Sequence, residues 1–219
     1  MMEVEGAILT ATHALPNFVA INVDTTTFHN QGTQVAQELA IALSIGSEYL
    51  TRLTEFELEA QTVARHMQFT FCAASSYFVE IAKLRAFRLL WREVQKAYDI
   101  ASPTPTRIHA KTSLRTQTED RHTNMIHATT EAMSAILGGS DSLTVQPADL
   151  VHGASDDFTR RIARNVQHIL KHESYLDRVA DPAAGSYYIE KMTQQLAKVA
   201  WGKFQKIEQA NGILGFMAE

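Results

Sequence analysis

A chain of 219 residues with 45% hydrophobic and 20% charged side chains can bury a sizeable core and reads as an ordinary soluble globular protein. Its formal charge of −4, spread without blocks, lacks the basic footprint that neutralises phosphates, so nucleic acid is not an expected partner. No apolar run approaches the ~20 residues that span a bilayer, and the acidic start Met1-Met2-Glu3-Val4-Glu5 is the opposite of a basic signal peptide, so no membrane association is expected.

In chain order, Phe18–Asp24 is the first expected strand, with Val19, Ile21 and Val23 on one face and Ala20, Asn22 and Asp24 on the other. A helix is expected over Val35–Leu53. His66–Phe71 alternates again, setting Met67, Phe69 and Phe71 against His66, Gln68 and Thr70. Cys72 follows that strand and reads as a small buried hydrophobe, and a lone cysteine favours a reducing compartment over a disulfide framework. Ser75 and Ser76 are candidate N-caps for a helix burying Phe78, Ile81, Leu84, Leu89 and Val94, which ends before Ser102-Pro103-Thr104-Pro105.

The third strand, Arg107–Lys111, turns Ile108 and Ala110 one way and Arg107, His109 and Lys111 the other. Its helix runs from about Asp120 to Leu137 and stops at Gly138-Gly139. Ser142–Gln146 is the fourth strand. Ser155-Asp156-Asp157 opens a helix through about Ser174, with acids placed at its positive end. After Asp181-Pro182-Ala183-Ala184-Gly185-Ser186 a last helix carries Ile189, Met192, Leu196, Val199, Phe204 and Ile207 and ends at Asn211-Gly212.

Strands alternating with helices imply βαβ units and a parallel sheet. Four units and an additional carboxyl-terminal helix fit either half of a (β/α)₈ barrel or a small doubly wound domain. A parallel strand buried on both faces is near-continuously apolar, whereas each strand here keeps one polar face. In a barrel that face points into the lumen. The lumen set would be Asn22, Asp24, His66, Gln68, Thr70, Arg107, His109, Lys111, Ser142, Thr144 and Gln146, far more polar than the usual aliphatic filling. Such a lumen either admits a ligand or water, or its groups satisfy one another.

The segments Gln37–Leu50 (QELAIALSIGSEYL), Val79–Trp91 (VEIAKLRAFRLLW), His109–Ser113 (HAKTS), Phe158–Ser174 (FTRRIARNVQHILKHES) and Asp181–Trp201 (DPAAGSYYIEKMTQQLAKVAW) resemble the methylmalonyl-CoA mutase family in order and spacing, from Pro16 to Gly212. The resemblance implies an α/β fold, a TIM-type half barrel corresponding to strands five to eight, whose lumen takes the pantetheine arm of a coenzyme A thioester. It further implies that residues 1–219 are a single domain with no cobalamin-binding domain. Adenosylcobalamin would then serve the holoenzyme without being bound by this chain. The family's cobalamin signature, Asp-x-His-x-x-Gly, is approached at Asp120-Arg121-His122-Thr123-Asn124-Met125, but Met125 replaces the glycine.

In catalytic subunits of the family a histidine after the fifth strand contacts the thioester carbonyl. The register places Thr27 there, while His29-Asn30-Gln31-Gly32 is similar to the small subunits. The sixth-strand arginine, serine and phenylalanine that contact substrate become His66, Gln68 and Thr70, and neither lysine nor histidine reproduces a bidentate arginine fork. On the seventh strand the His-x-Gln pair becomes His109 and Lys111, and on the eighth Ser142 survives. The resemblance therefore implies no catalytic residue and makes His66, Gln68, Thr70, His109, Lys111 and Ser142 the candidate substrate contacts. It implies a small, non-catalytic cytoplasmic subunit partnered by a large catalytic mutase subunit. The alternatives are a coenzyme A thioester-binding module and a catalytically competent fragment.

His168 and His172 stand at a metal-compatible i, i+4 spacing, though an exposed polar helix face is the expected reading. Arg160, Arg161 and Arg164 are expected to pair with acids on neighbouring helices. A half barrel would leave two unpaired parallel edges, near Val19–Val23 and Ser142–Gln146, and such edges invite self-association.

Overall fold

The computed structural model describes residues 2–12, 15, 17–56 and 58–218. Met1, which opens the acidic amino-terminal run, and Pro16, where the family resemblance begins, lie outside the described residues. Four parallel strands, β1 (Ile21–Asp24), β2 (Met67–Ala73), β3 (Arg107–Thr112) and β4 (Ser142–Thr144), form one sheet in the order β1-β2-β3-β4. Helices α3 (Val35–Glu55), α5 (Tyr77–Ala97), α6 (Arg121–Leu137) and α7 (Asp157–His172) follow the strands in turn, giving the expected partial (β/α) barrel, with neither β1 nor β4 paired on its outer side among the described residues. The long helix α8 (Tyr187–Gln209) packs across α3 and α5. No helix among the described residues is long and apolar enough to cross a membrane.

The two-residue period does what the sequence demanded. Ile21 and Val23 of β1, Phe69 and Phe71 of β2, and Ile108 and Ala110 of β3 are buried beneath the helices. There Phe69 meets Phe87 and Trp91 edge to face, with centroids 4.6 and 4.7 Å apart. Aromatic pairs in that arrangement contribute about 0.5–1.5 kcal/mol each beyond their buried area. Gly46 on α3 permits the close approach, since a Cβ there would lie 2.6 Å from a Trp91 ring carbon.

Helix ends follow their capping chemistry. The Asp120 carboxylate accepts from the His122 and Thr123 amides at the start of α6, and Asp156 accepts from Thr159 N (2.7 Å) at the start of α7. Gly139, at φ 85°, turns the chain after α6 into β4. Ser76 occupies the N-cap position of α5 without a side-chain capping bond.

Several expectations need correction. The first strand begins at Ile21, not Phe18, because the residues before it find no regular partner. Cys72 lies inside β2 rather than after it, and burial pushes its thiol up to about 12, so it behaves as an inert small hydrophobe. Phe78 and Leu89 of α5 are 50% and 52% exposed, on the flanks of a helix whose centre line is Ile81, Leu84 and Val94. Helices α1 (Met2–Thr12), α2 (Thr26–Asn30), α4 (Ala60–Arg65) and α9 (Gly212–Ala218) had no counterpart in the sequence reading.

Candidate functional site

Register stacks the polar strand faces into layers on the concave side of the sheet. Asn22, Gln68 and Arg107 pair across the first three strands, and one step along Asp24, Thr70, His109 and Ser142 run across all four. The next layer is Cys72, Lys111 and Thr144. Gln68, Thr70, His109, Lys111 and Ser142 thus share one face of the sheet.

These groups satisfy one another. Thr70 Oγ1 and Gln68 Nε2 both donate to Asn22 Oδ1, at 2.8 and 3.3 Å. Lys111 Nζ donates to Asp24 Oδ2 at 3.0 Å. His109 is held from both sides, Nδ1 at 2.7 Å from Ser142 Oγ and Nε2 at 3.1 Å from Thr144 Oγ1. A neutral imidazole suits that arrangement, one nitrogen donating and the other accepting. Burial and the neighbouring Lys111 charge push the His109 pKa below its ordinary value, which keeps the ring neutral. Burial raises the Asp24 carboxyl, but hydrogen bonds from Thr26 and from Lys111 outweigh it and hold the group below the ordinary range.

The Ser142–His109 contact superficially matches a nucleophile and its base. Yet Nε2 is taken by Thr144, and the nearby Asp24 carboxylate is bound to Lys111 instead of orienting the ring. His66 departs from the set altogether. It is wholly buried before β2 begins and its Nδ1 donates to the Phe18 carbonyl at 2.7 Å, so it cannot reach the concave surface.

Behind the strands lies a buried ionic hub that the sequence reading missed. Lys83 of α5 is wholly buried, with Nζ 3.5 Å from Glu38 Oε2, 2.5 Å from Glu80 Oε2 and 2.5 Å from the Cys72 carbonyl oxygen. The Thr25 hydroxyl donates to Glu38 Oε1 (2.8 Å) and lies 3.0 Å from the Thr70 carbonyl. Burial lowers the Lys83 pKa and raises that of Glu38, but their mutual attraction, with Glu80 on one side and His29 and Thr25 on the other, reverses both. His29 Nε2 meets Ser113 Oγ at 2.8 Å, and Glu131 of α6 accepts from Ser113 N (3.0 Å) and Thr116 Oγ1 (2.5 Å). Burial pushes Glu131 up to about 7. The available signal was charge at i, i+3 on the apolar stripe of α5, Glu80 and Lys83, which a solvated helix face would not carry.

Other motifs resolve plainly. His168 and His172 stack on the exposed face of α7 with centroids 5.9 Å apart, and no group of three metal-type ligands occurs among the described residues. Arg160 pairs with Asp157 of its own helix at 3.1 Å, not with a neighbouring one, and Arg161 lies over the Phe158 ring.

The sequence profile described as methylmalonyl-CoA mutase matches residues 1–219. The chain belongs to the methylmalonyl-CoA mutase family. Relatives within the family include a methylmalonyl-CoA mutase small subunit of Porphyromonas gingivalis, 41% identical over 209 residues that make up 94% of this chain and 34% of the relative. A small subunit of Streptomyces virginiae is 41% identical over 90% of this chain and 32% of its own length. A methylmalonyl-CoA mutase of Rhizobium meliloti is 38% identical over 91% of this chain and 28% of its own. The chain thus spans about a third of the length of the curated relatives it matches.

The family implies adenosylcobalamin, and the Asp120-x-His122 segment is where a cobalamin motif would be sought. Asp120 is spent on capping α6, His122 is a residue of that helix's first turn, and Met125 stands in the helix where a glycine would be needed. These residues do not fit cobalamin.

Proposed function

We propose that this chain is the carboxyl-terminal half of the substrate barrel of a methylmalonyl-CoA mutase small subunit, one domain over residues 1–219, working in the cytoplasm as a non-catalytic partner of a large catalytic subunit. The isomerisation of methylmalonyl-CoA and succinyl-CoA belongs, in this reading, to that large subunit with its adenosylcobalamin. The observation that carries it is the concave surface itself. Its ammonium and carboxylate pair with each other and its imidazole is held between two hydroxyls, so none is poised to transfer a proton or to grip a substrate carbonyl. Similarity to proteins called small subunits supports the same role. The open β1 and β4 edges require a covering chain, either a second copy or a separate half barrel.

The runner-up is a coenzyme A thioester-binding module, supported by the exposure of Asn22, Asp24, Ser142 and Thr144 on the concave side. Two measurements separate the readings. The chain incubated with methylmalonyl-CoA and adenosylcobalamin is expected to form no succinyl-CoA, and turnover by the chain alone overturns the proposal. Calorimetric titration with methylmalonyl-CoA is expected to show no heat of binding. A saturable signal abolished by His109→Ala would establish the binding module instead.

A further inference from the structure

Helix α7 rests on α6 and α8 rests on α5, and residues 173–186 cross between them without regular helix or strand. A cleft of about 840 Å³ lies among these elements, within the ~300–1,000 Å³ of small-molecule sites. Leu143 of β4, Ile136 of α6, Leu170 of α7 and Leu176 of the crossing segment give it apolar walls. Leu89 and Val179 also line it and stay 52% and 61% exposed.

Arg85 Nε, Ser140 Oγ and Thr193 Oγ1 belong to residues lining the cleft, and each is buried without a hydrogen-bond partner among the described residues. Thr193 is only 1% exposed. Buried polar groups are nearly always paired, so three orphans around one cleft point to a bonding partner from outside the chain. The neighbouring charges are already matched. Arg85 pairs with Asp181 and, at 2.5 Å, with Glu190, and Arg88 pairs with Asp141 at 2.8 Å. Asp181 does so from a left-handed φ of 47°, uncommon outside glycine. Among the lining residues, Asp141, Asp177, Asp181 and Glu190 outnumber Arg85, Arg88 and Lys171. That balance disfavours an anion. A simple cation fails differently, because Arg85 Nε–H only donates and needs an acceptor, whereas the two hydroxyls both donate and accept.

We propose that this cleft binds a neutral acyl amide, its hydrocarbon part against the apolar walls and its amide among Arg85, Ser140 and Thr193. The carbonyl oxygen accepts where the chain leaves donors unmet, and the amide N–H donates to a hydroxyl oxygen. A ligand that satisfies an orphaned buried group gains more than one that merely replaces water, since that group made no bond before. A carboxylate carries acceptors into an excess of carboxylates, and an ammonium offers nothing to Arg85 Nε–H. Neither His109 nor Lys111 lines the cleft, so the site stands whether or not the concave surface takes a thioester.

The test is titration of the full, isotope-labelled chain with octanamide, followed by amide chemical shifts, with octanoate and octylammonium in parallel. Saturable shifts are expected at Leu143, Leu176 and Val179, with about tenfold weaker binding of either ion. Thr193→Val keeps the side chain's shape and removes the orphaned hydroxyl. It is expected to raise the midpoint of thermal unfolding and to weaken octanamide about fivefold, a pair of opposite effects that a purely structural threonine would not give. Val179→Asp, at an exposed position of the crossing segment, is expected to leave the circular dichroism unchanged and weaken octanamide about tenfold. It reads the site even where Thr193→Val fails to fold. Octanamide that does not saturate, ions that bind as well, or an affinity indifferent to Val179→Asp or to a folded Thr193→Val overturns the inference.

Discussion

Glu131→Gln isolates the energetic consequence of burying a carboxylate behind β3. Glu131 accepts from the Ser113 amide and the Thr116 hydroxyl, and burial nonetheless raises it from an ordinary 4.5 to about 7. In the unfolded chain the group ionises at its ordinary value, so between the two the folded state binds more protons and its stability falls as pH rises. Below 4.5 the contribution vanishes, and above about 7 it is fully present. At 1.36 kcal/mol per pH unit the whole penalty is about 3 kcal/mol, most of which develops between about pH 5 and about pH 8. Glutamine keeps an acceptor for Ser113 N–H and offers an amide to Thr116 Oγ1, without the charge. Urea unfolding of both proteins across that pH range should show the variant gaining on the parent by about 2–3 kcal/mol, other titrating groups cancelling in the difference. Two profiles that stay parallel within about 0.5 kcal/mol would refute the reasoning.

The ionic hub predicts that Lys83→Met, by leaving Glu38 and Glu80 without their counter-charge, costs about 3–5 kcal/mol, measured by urea unfolding and soluble yield. Combining it with Glu38→Gln and Glu80→Gln should recover much of the loss. Gly46→Ala forces a Cβ to within 2.6 Å of Trp91 and should destabilise by about 1–3 kcal/mol, with a changed near-ultraviolet signal from that indole. Lys111→Met, which breaks a partly exposed pair with Asp24, should cost no more than about 1 kcal/mol by thermal unfolding. Cys72 should resist iodoacetamide in the native chain at mildly alkaline pH and react in urea, followed by mass spectrometry.

The alternation of Ile21, Val23, Phe69, Phe71, Ile108 and Ala110 was enough to place the sheet and to orient its polar face, because one buried side fixes register. Helix α1 escaped because its residues 2–12 show no amphipathic period, and α4 because six residues are too few to display one. His66 had the right parity but stands one residue before β2, where the Phe18 carbonyl claims its ring. The hub was illegible for another reason. Glu38, Glu80 and Lys83 come from two helices far apart in the chain, and composition assigns such residues to solvent unless their partners are known. Whether the concave groups await a ligand or hold one another depended on side-chain reach, which alternation alone does not carry.

Lys83 grips the main chain of β2 at the Cys72 carbonyl from outside the sheet, while Lys111, His109 and Thr144 stand on its inner surface. The clamp that fixes the strand therefore shares no atom with the groups a substrate would meet. A substitution on the inner surface can therefore change those groups and leave the grip on the strand intact.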